Sequence, residues 1–196
     1  MLFSENCLCS NPLESIVLRP VLVCYNTEMN SRLLMELDQL ASLLLAQEVT
    51  LVVAESCTAG WIAKTLTDQV GSSAWFEGGF VSYSNRAKES MLSVPPSVLQ
   101  QFGAVSEACA TAMVEGALLN SEADFSLAVT GIAGPGGGSV EKPVGLVCFA
   151  WVSRGLQPIT ESVRFFGNRD MVRQQTVQYA LSRLLILLKE AAGSRS

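Results

Sequence analysis

The run "DFSLAVTG", residues 124–131, constrains the fold more than any other stretch of the chain. It has the length of a strand and reads as a largely apolar run broken only by the small Ser126 and Thr130. Such a run fits a strand covered on both sides, so it reads as a central strand of a sheet between helices. A second apolar run ends in "AESCTAG" and predicts a strand at about 49–55, followed by a helix at about 58–69. Upstream, Leu33, Leu34, Leu37, Leu40, Ala41, Leu44 and Leu45 follow the i, i+3, i+4 spacing of a helix beginning near Asn30, with Asn30 or Ser31 as its cap.

The remaining elements follow from their stop and start signals. "EGGFVSYSN" reads as a strand at about 78–84 opened by two glycines, and "RAKESML" as a helical turn or short helix. "PPSVLQQFG" has the proline start and glycine stop of a short helix. Ser106 is placed to cap a helix over 107–120. "VGLVCFAWVS" and "ITESVRFF", joined by "RGLQP", predict an antiparallel hairpin. Asn168 is placed to cap a last helix over 169–190. The expectation is a single three-layer α/β domain, a mixed sheet flanked by helices, ending in a β-hairpin and a long C-terminal helix. Residues 1–28 have no clear period and contain Pro20, so they read as an N-terminal appendage to a domain spanning 29–192.

Composition removes several classes of function. A chain of 196 residues buries about 70% of its unfolded surface and needs no disulfide or metal to hold a core. No apolar run is long enough to cross a bilayer, so no membrane association is expected. The first residues lack Lys or Arg ahead of an apolar stretch, which predicts no signal peptide and a cytoplasmic location. Six scattered cysteines and no histidine predict buried reduced thiols rather than a disulfide framework or a zinc site. A net charge of −5 without a basic cluster argues against nucleic acid as a partner.

Four segments carry candidate chemistry. Ser56 lies where a buried strand meets a helix, a place that exposes a side chain beside free backbone N–H groups. Ser56 or Thr58 also suits a plain helix cap, and Cys57 is a rival nucleophile. Without histidine a Ser-His-Asp triad is impossible, and the substitutes are a lysine or a tyrosine–lysine pair. "FVSYSNRAK" supplies Tyr83 at a strand end and Lys88 five residues later; an ordinary surface lysine and half-buried tyrosine would look the same. In "VTGIAGPGGGS", Thr130 ends the most apolar strand, and glycines at 131, 134, 136, 137 and 138 allow a backbone to approach a phosphate or carbonyl oxygen closely. The run does not match a P-loop, and it also suits a plain flexible loop. Arg169 in "FFGNRDMVR" falls in the first turn of a helix, where the dipole disfavours a cation, so it reads as an anion ligand or an ordinary surface arginine.

Taken together, "AESCTAG", "GSSAWFEGGFVSYSNRAK", "GAVSE", "TGIAGPGGGS", "EKPVGLV" and "FFGNRDMVR" resemble the C-terminal domain of the CinA, or competence-damage-inducible, family over about residues 32–188. The resemblance implies hydrolysis of the amide of nicotinamide mononucleotide to nicotinate mononucleotide and ammonia, without a cofactor or metal. It implies Ser56 as nucleophile, Tyr83 and Lys88 as its activating pair, and Thr130 and Arg169 as further site positions. Gly131, Gly134, Gly137 and Gly138 are then candidates for contacting the substrate. The family also implies a homo-oligomer. Ala59 stands where the family usually has glycine, and Asn168 where it usually has aspartate. A non-catalytic nucleotide-binding or regulatory module is the rival reading. A DNA-binding competence factor is opposed by the acidic charge.

Overall fold

A computed structural model describes the backbone of residues 19–193 and the side chains of 31–192. The chain divides into two units between Met35 and Glu36, and the sheet, its covering helices and the site belong to the second. The elements are α1 (Arg19–Ala46), β1 (Leu51–Glu55), α2 (Trp61–Thr67), a 3-10 turn (Ser72–Ala74), β2 (Phe76–Val81), α3 (Asn85–Leu92), α4 (Pro96–Phe102), α5 (Glu107–Leu119), β3 (Phe125–Gly131), β4 (Leu146–Ser153), β5 (Ile159–Arg164) and α6 (Arg169–Gly193). The sheet order is β2-β1-β3-β4-β5. β1 runs parallel to β2 and β3, while β3–β4 and β4–β5 are antiparallel, so the sheet is mixed.

Side-chain alternation divides the sheet between two helical layers. Val52, Ala54, Ala128, Cys148 and Ala150 face α5, packing with Cys109, Met113, Val114 and Ala117. On the other face, Phe149 lies 5.0 Å from the Tyr179 ring, and the Trp151 indole N–H donates to Ala180 O at 3.2 Å, which seats α6. The three interior strands β1, β3 and β4 are buried almost throughout, as the apolar runs predict. α3 lies against α5 so closely that a Cβ on Gly116 would sit 1.8 Å from Leu92 O.

Several element boundaries differ from the sequence reading, among them the end of β2, which stops at Val81 rather than about 84 and leaves Tyr83 beyond the strand. α1 begins at Arg19 rather than near Asn30. Pro20 does not break it, because a proline in the first turn lacks only an N–H that has no intrahelical acceptor. α2 begins at Trp61 rather than Thr58, after a turn, and Gly60 at its N-cap has φ 92° and no side-chain cap bond, so neither Ser56 nor Thr58 is the cap. β2 begins at Phe76, and its glycines lie inside the strand rather than opening it. A Cβ on Gly79 would crowd the side chains of Val53 and Ala63 at 3.0 and 3.3 Å, so glycine there lets α2 lie flat on the sheet. α6 runs to Gly193, three residues past its expected end. The caps at Ser106 and Asn168 accept from Cys109 N and Met171 N at 3.1 and 2.9 Å, as their positions predict. Residues 1–18 lie outside the described residues. Among those whose side chains are described, Cys57, Cys109 and Cys148 are free and buried.

Candidate active site

β1 and β3 end side by side, and the connections that follow them part, leaving a crevice at the carboxyl edge of the sheet. It encloses about 230 Å³ and brings Ser56, Tyr83, Lys88, Thr130, Gly131 and Arg169 together from separate segments. Cys57, Ala104, Val105 and Ala133 complete its walls.

The backbone of Ser56 is held by the sheet. Its N–H donates to Val129 O at 3.0 Å, one step beyond β1, and Ser82 N donates to Glu55 O at 2.8 Å on the other side. The chain then turns through Ala59 (φ 51°) and Gly60 (φ 92°), both left-handed, into α2. The N–H groups of Gly60, Ile62 and Ala63 donate to the Glu55 carboxylate at 2.9, 3.1 and 2.8 Å. The helix start, the expected anion holder, is therefore already occupied by a side chain. Among the described residues, the N–H groups of Cys57 and Thr58 donate to no other residue, and both follow Ser56 directly.

Lys88 reaches Ser56 from the opposite wall. Ser84 caps α3 by accepting from Ala87 N at 3.1 Å, and the helix turns Lys88 inward until it is 1% exposed. Its Nζ lies 2.8 Å from Ser56 Oγ and donates to Ser82 O at 2.8 Å. Burial pushes its pKa below the ordinary lysine value because the charged form loses hydration, an effect partly opposed by the Cys109 and Cys57 thiols. A neutral amine has two N–H donors and one lone pair. One N–H satisfies Ser82 O, and the lone pair is free for the Ser56 hydroxyl proton. The neighbouring Cys57 thiol is pushed up to about 12, chiefly by burial, and the Glu55 charge works in the same direction. It stays protonated at neutral pH, which makes it a poor rival nucleophile.

The other expected residues divide by what holds them. Tyr83 is 59% exposed, and its hydroxyl accepts from Arg169 Nη2 at 3.1 Å rather than meeting Lys88 or Ser56. Arg169 also donates from Nη1 to Gly134 O at 2.8 Å, so two of its five N–H groups are used. Thr130 donates its hydroxyl to Ala104 O at 2.7 Å, tying the end of β3 to the wall. A Cβ on Gly131 would lie 2.7 Å from Leu146 O, so strand pairing itself requires glycine there. Gly134, Gly137 and Gly138 lie outside the crevice lining.

Residues at three places in the chain had no assigned role in the sequence reading. Ala104 and Val105 come from "GAVSE". Arg173, one helical turn past Arg169, donates to Thr58 O at 2.7 Å and lies over the Trp61 ring at 5.2 Å. Glu55 is the third, and its signal was available: a carboxylate ending a buried strand has no place in an apolar core without donors.

Comparison with known proteins agrees over the same span. The chain is 49% identical over 155 residues to the nicotinamide-nucleotide amidohydrolase PncC of Escherichia coli (strain K12), covering 79% of this chain and 94% of that protein. A CinA-like protein of Akkermansia muciniphila is 51% identical over 139 residues, 71% of this chain and 34% of the relative. Among solved structures, a CinA superfamily protein from Klebsiella pneumoniae 700603 superposes with a TM-score of 0.77 at 38% identity, covering 80% of this chain and 97% of that one. The competence/damage inducible protein CihA of Agrobacterium tumefaciens gives 0.77 at 44%, covering 80% and 95%. The CinA C-terminal domain model matches residues 35–188, from the second half of α1 through most of α6, and with this span the chain belongs to the CinA C-terminal domain family.

Proposed function

We propose that the protein is an amidohydrolase that converts nicotinamide mononucleotide to nicotinate mononucleotide and ammonia, with Ser56 as nucleophile and Lys88 as its base. The observation that carries this reading is the buried Lys88 Nζ at 2.8 Å from Ser56 Oγ. The substrate comes from the likeness to the PncC relatives, which are named for this activity.

Ser56 Oγ attacks the amide carbonyl carbon as its proton passes to Nζ of Lys88. The oxygen of the tetrahedral adduct takes up negative charge beside the N–H groups of Cys57 and Thr58, which donate to no other described residue. The C–N bond breaks, and the Lys88 ammonium returns the proton to the leaving nitrogen, which departs as ammonia. Water then attacks the ester on Ser56 as Lys88 again takes a proton; the acyl C–Oγ bond breaks, Lys88 returns the proton to Ser56 Oγ, and the product leaves as its carboxylate after losing its acid proton to solvent. Ala104, Val105 and Ala133 give the aromatic ring a small apolar wall, while the unused N–H groups of Arg169 suit the phosphate. Tyr83 orients Arg169 from the rim.

The test is ammonia release from nicotinamide mononucleotide by the purified protein and by Ser56→Ala. The expected loss is at least about a thousandfold, roughly 4 kcal/mol of barrier, with the thermal transition unchanged. A wild-type protein that binds the mononucleotide and releases no ammonia would be a nucleotide-binding module instead.

A further inference from the structure

Glu55 is 1% exposed, and among the described residues no Lys or Arg pairs with it. All its partners are backbone N–H groups: Oε2 accepts from Gly60 and Ile62, and Oε1 from Ala63. Most helices are capped by a short polar side chain at the N-cap itself. Here the N-cap is Gly60, and the cap comes from five residues upstream, on the far side of the turn that bears Ser56.

The position of that cap has a mechanical consequence. Strand end, turn and first helical turn are joined into a closed ring of contacts that includes Ser56 and the N–H groups of Cys57 and Thr58. The Glu55 backbone is fixed by β1 and its side chain by α2, so the residues between them are held at both ends. On the outer side, Arg173 holds the Thr58 carbonyl at 2.7 Å. Two left-handed residues, Ala59 and Gly60, lie within the ring; Ala59 costs conformational energy there, and a turn that is not clamped would relax it.

We propose that Glu55 is a positioning residue for catalysis, holding Ser56 and the two following amides in the geometry of the tetrahedral adduct. This rests on the reading of Ser56 as nucleophile given above. A carboxylate offers acceptors only, and three N–H groups converge on it. A glutamine turns an NH2 group toward at least one of those donors, and an aspartate is one methylene too short to reach all three. A displacement of about 1 Å at a nucleophile costs about 100-fold in rate.

Glu55→Gln and Glu55→Asp are compared with wild type for ammonia release and for covalent labelling of Ser56 by a serine-directed fluorophosphonate, read by intact mass. The expected result for Glu55→Gln is a kcat lower by about 100-fold, with KM and the pH dependence retained and labelling slowed in proportion. Glu55→Asp falls in the same direction with a smaller loss. A folded Glu55→Gln protein with wild-type kcat and labelling overturns the proposal, as does a loss carried in KM alone. If both variants lose their thermal transition, Glu55 is a folding residue and the proposal is equally overturned. A wild-type protein that neither releases ammonia nor takes up the probe refutes the nucleophile assignment instead, which separates the two failures.

Discussion

β1 meets polar groups at both of its ends, and they are handled in opposite ways. At the amino end, Asp124 accepts from Thr50 N and Thr50 Oγ1 at 2.8 and 3.0 Å, Arg154 donates to the carbonyls of Leu118, Ser121 and Ala123, and Glu77 accepts from Glu122 N. The groove nearby, formed by Trp151, Phe125, Leu156 and Leu184 among others, has one charged side chain, Glu190. At the carboxyl end, a lysine is buried against a hydroxyl, and among the described residues the N–H groups of Cys57 and Thr58 donate to no other residue. The amino end pairs the charged side chains of Asp124, Arg154 and Glu77 with backbone and hydroxyl groups. The carboxyl end keeps these two donors unpaired among the described residues, and those are the groups that a reacting carbonyl can use.

The strongest way to break this contrast is to replace the buried lysine. Lys88→Met and Lys88→Arg are expected to lower kcat/KM by about a thousandfold, since general base catalysis contributes up to about 10⁴-fold and a guanidinium does not deprotonate. In wild type the rate should rise with pH as Lys88 becomes neutral, through an apparent pKa below the ordinary lysine value, because burial lowers it. Lys88→Met should abolish that limb. The same burial has a stability sign. Between the lowered native pKa and the ordinary value the unfolded chain binds more protons than the native one, so the Lys88 contribution improves as pH rises and is unfavourable below that window. Lys88→Met is therefore expected to melt higher than wild type at neutral pH. A rate-retaining Lys88→Arg protein leaves Lys88 only a positional charge.

A smaller effect is expected at the rim. Tyr83→Phe removes the hydroxyl that accepts from Arg169, and losing one such bond corresponds to about tenfold. A thousandfold loss would return Tyr83 to the proton path beside Lys88. The smallest effect on rate is expected at the amino end. Asp124→Asn should leave kcat unchanged while lowering stability by about 1–2 kcal/mol in urea unfolding, because its partners lose acceptors and no reacting group moves. A fall in kcat there would show the two ends to be coupled.

The sequence revealed this architecture where one element carried its own signal. β3 was legible from a single largely apolar run, the β4–β5 hairpin from two runs around "RGLQP", and the caps at Ser106 and Asn168 from position alone. What misled were signals whose meaning depends on a partner. Pro20 breaks a helix only beyond the first turn. The glycines of β2 read as a strand opening, although they make room for α2. The start of α2 was misplaced because its cap, Glu55, belongs to the preceding strand. Ser56, Lys88 and Arg169 were nameable from local motifs and from the lack of histidine. That Tyr83 turns to Arg169, and that Thr130 ties down Ala104, depends on distances between segments 26 to 86 residues apart, which no local pattern encodes.

The contact between Gly116 and Leu92 extends vulnerability beyond the chemistry. α3 carries Lys88 one turn before Leu92, and α3 can lie that deep only because position 116 has no side chain. In a population of natural variants, a larger residue at 116 would read as a lesion of the crevice: it would lift the helix that carries Lys88 while every side chain lining the crevice kept its identity. A screen that ranks positions by lost activity would place this glycine beside Ser56, although it contributes neither atom nor charge to the crevice. The site's genetic footprint is therefore wider than its chemical one, and part of it is empty space.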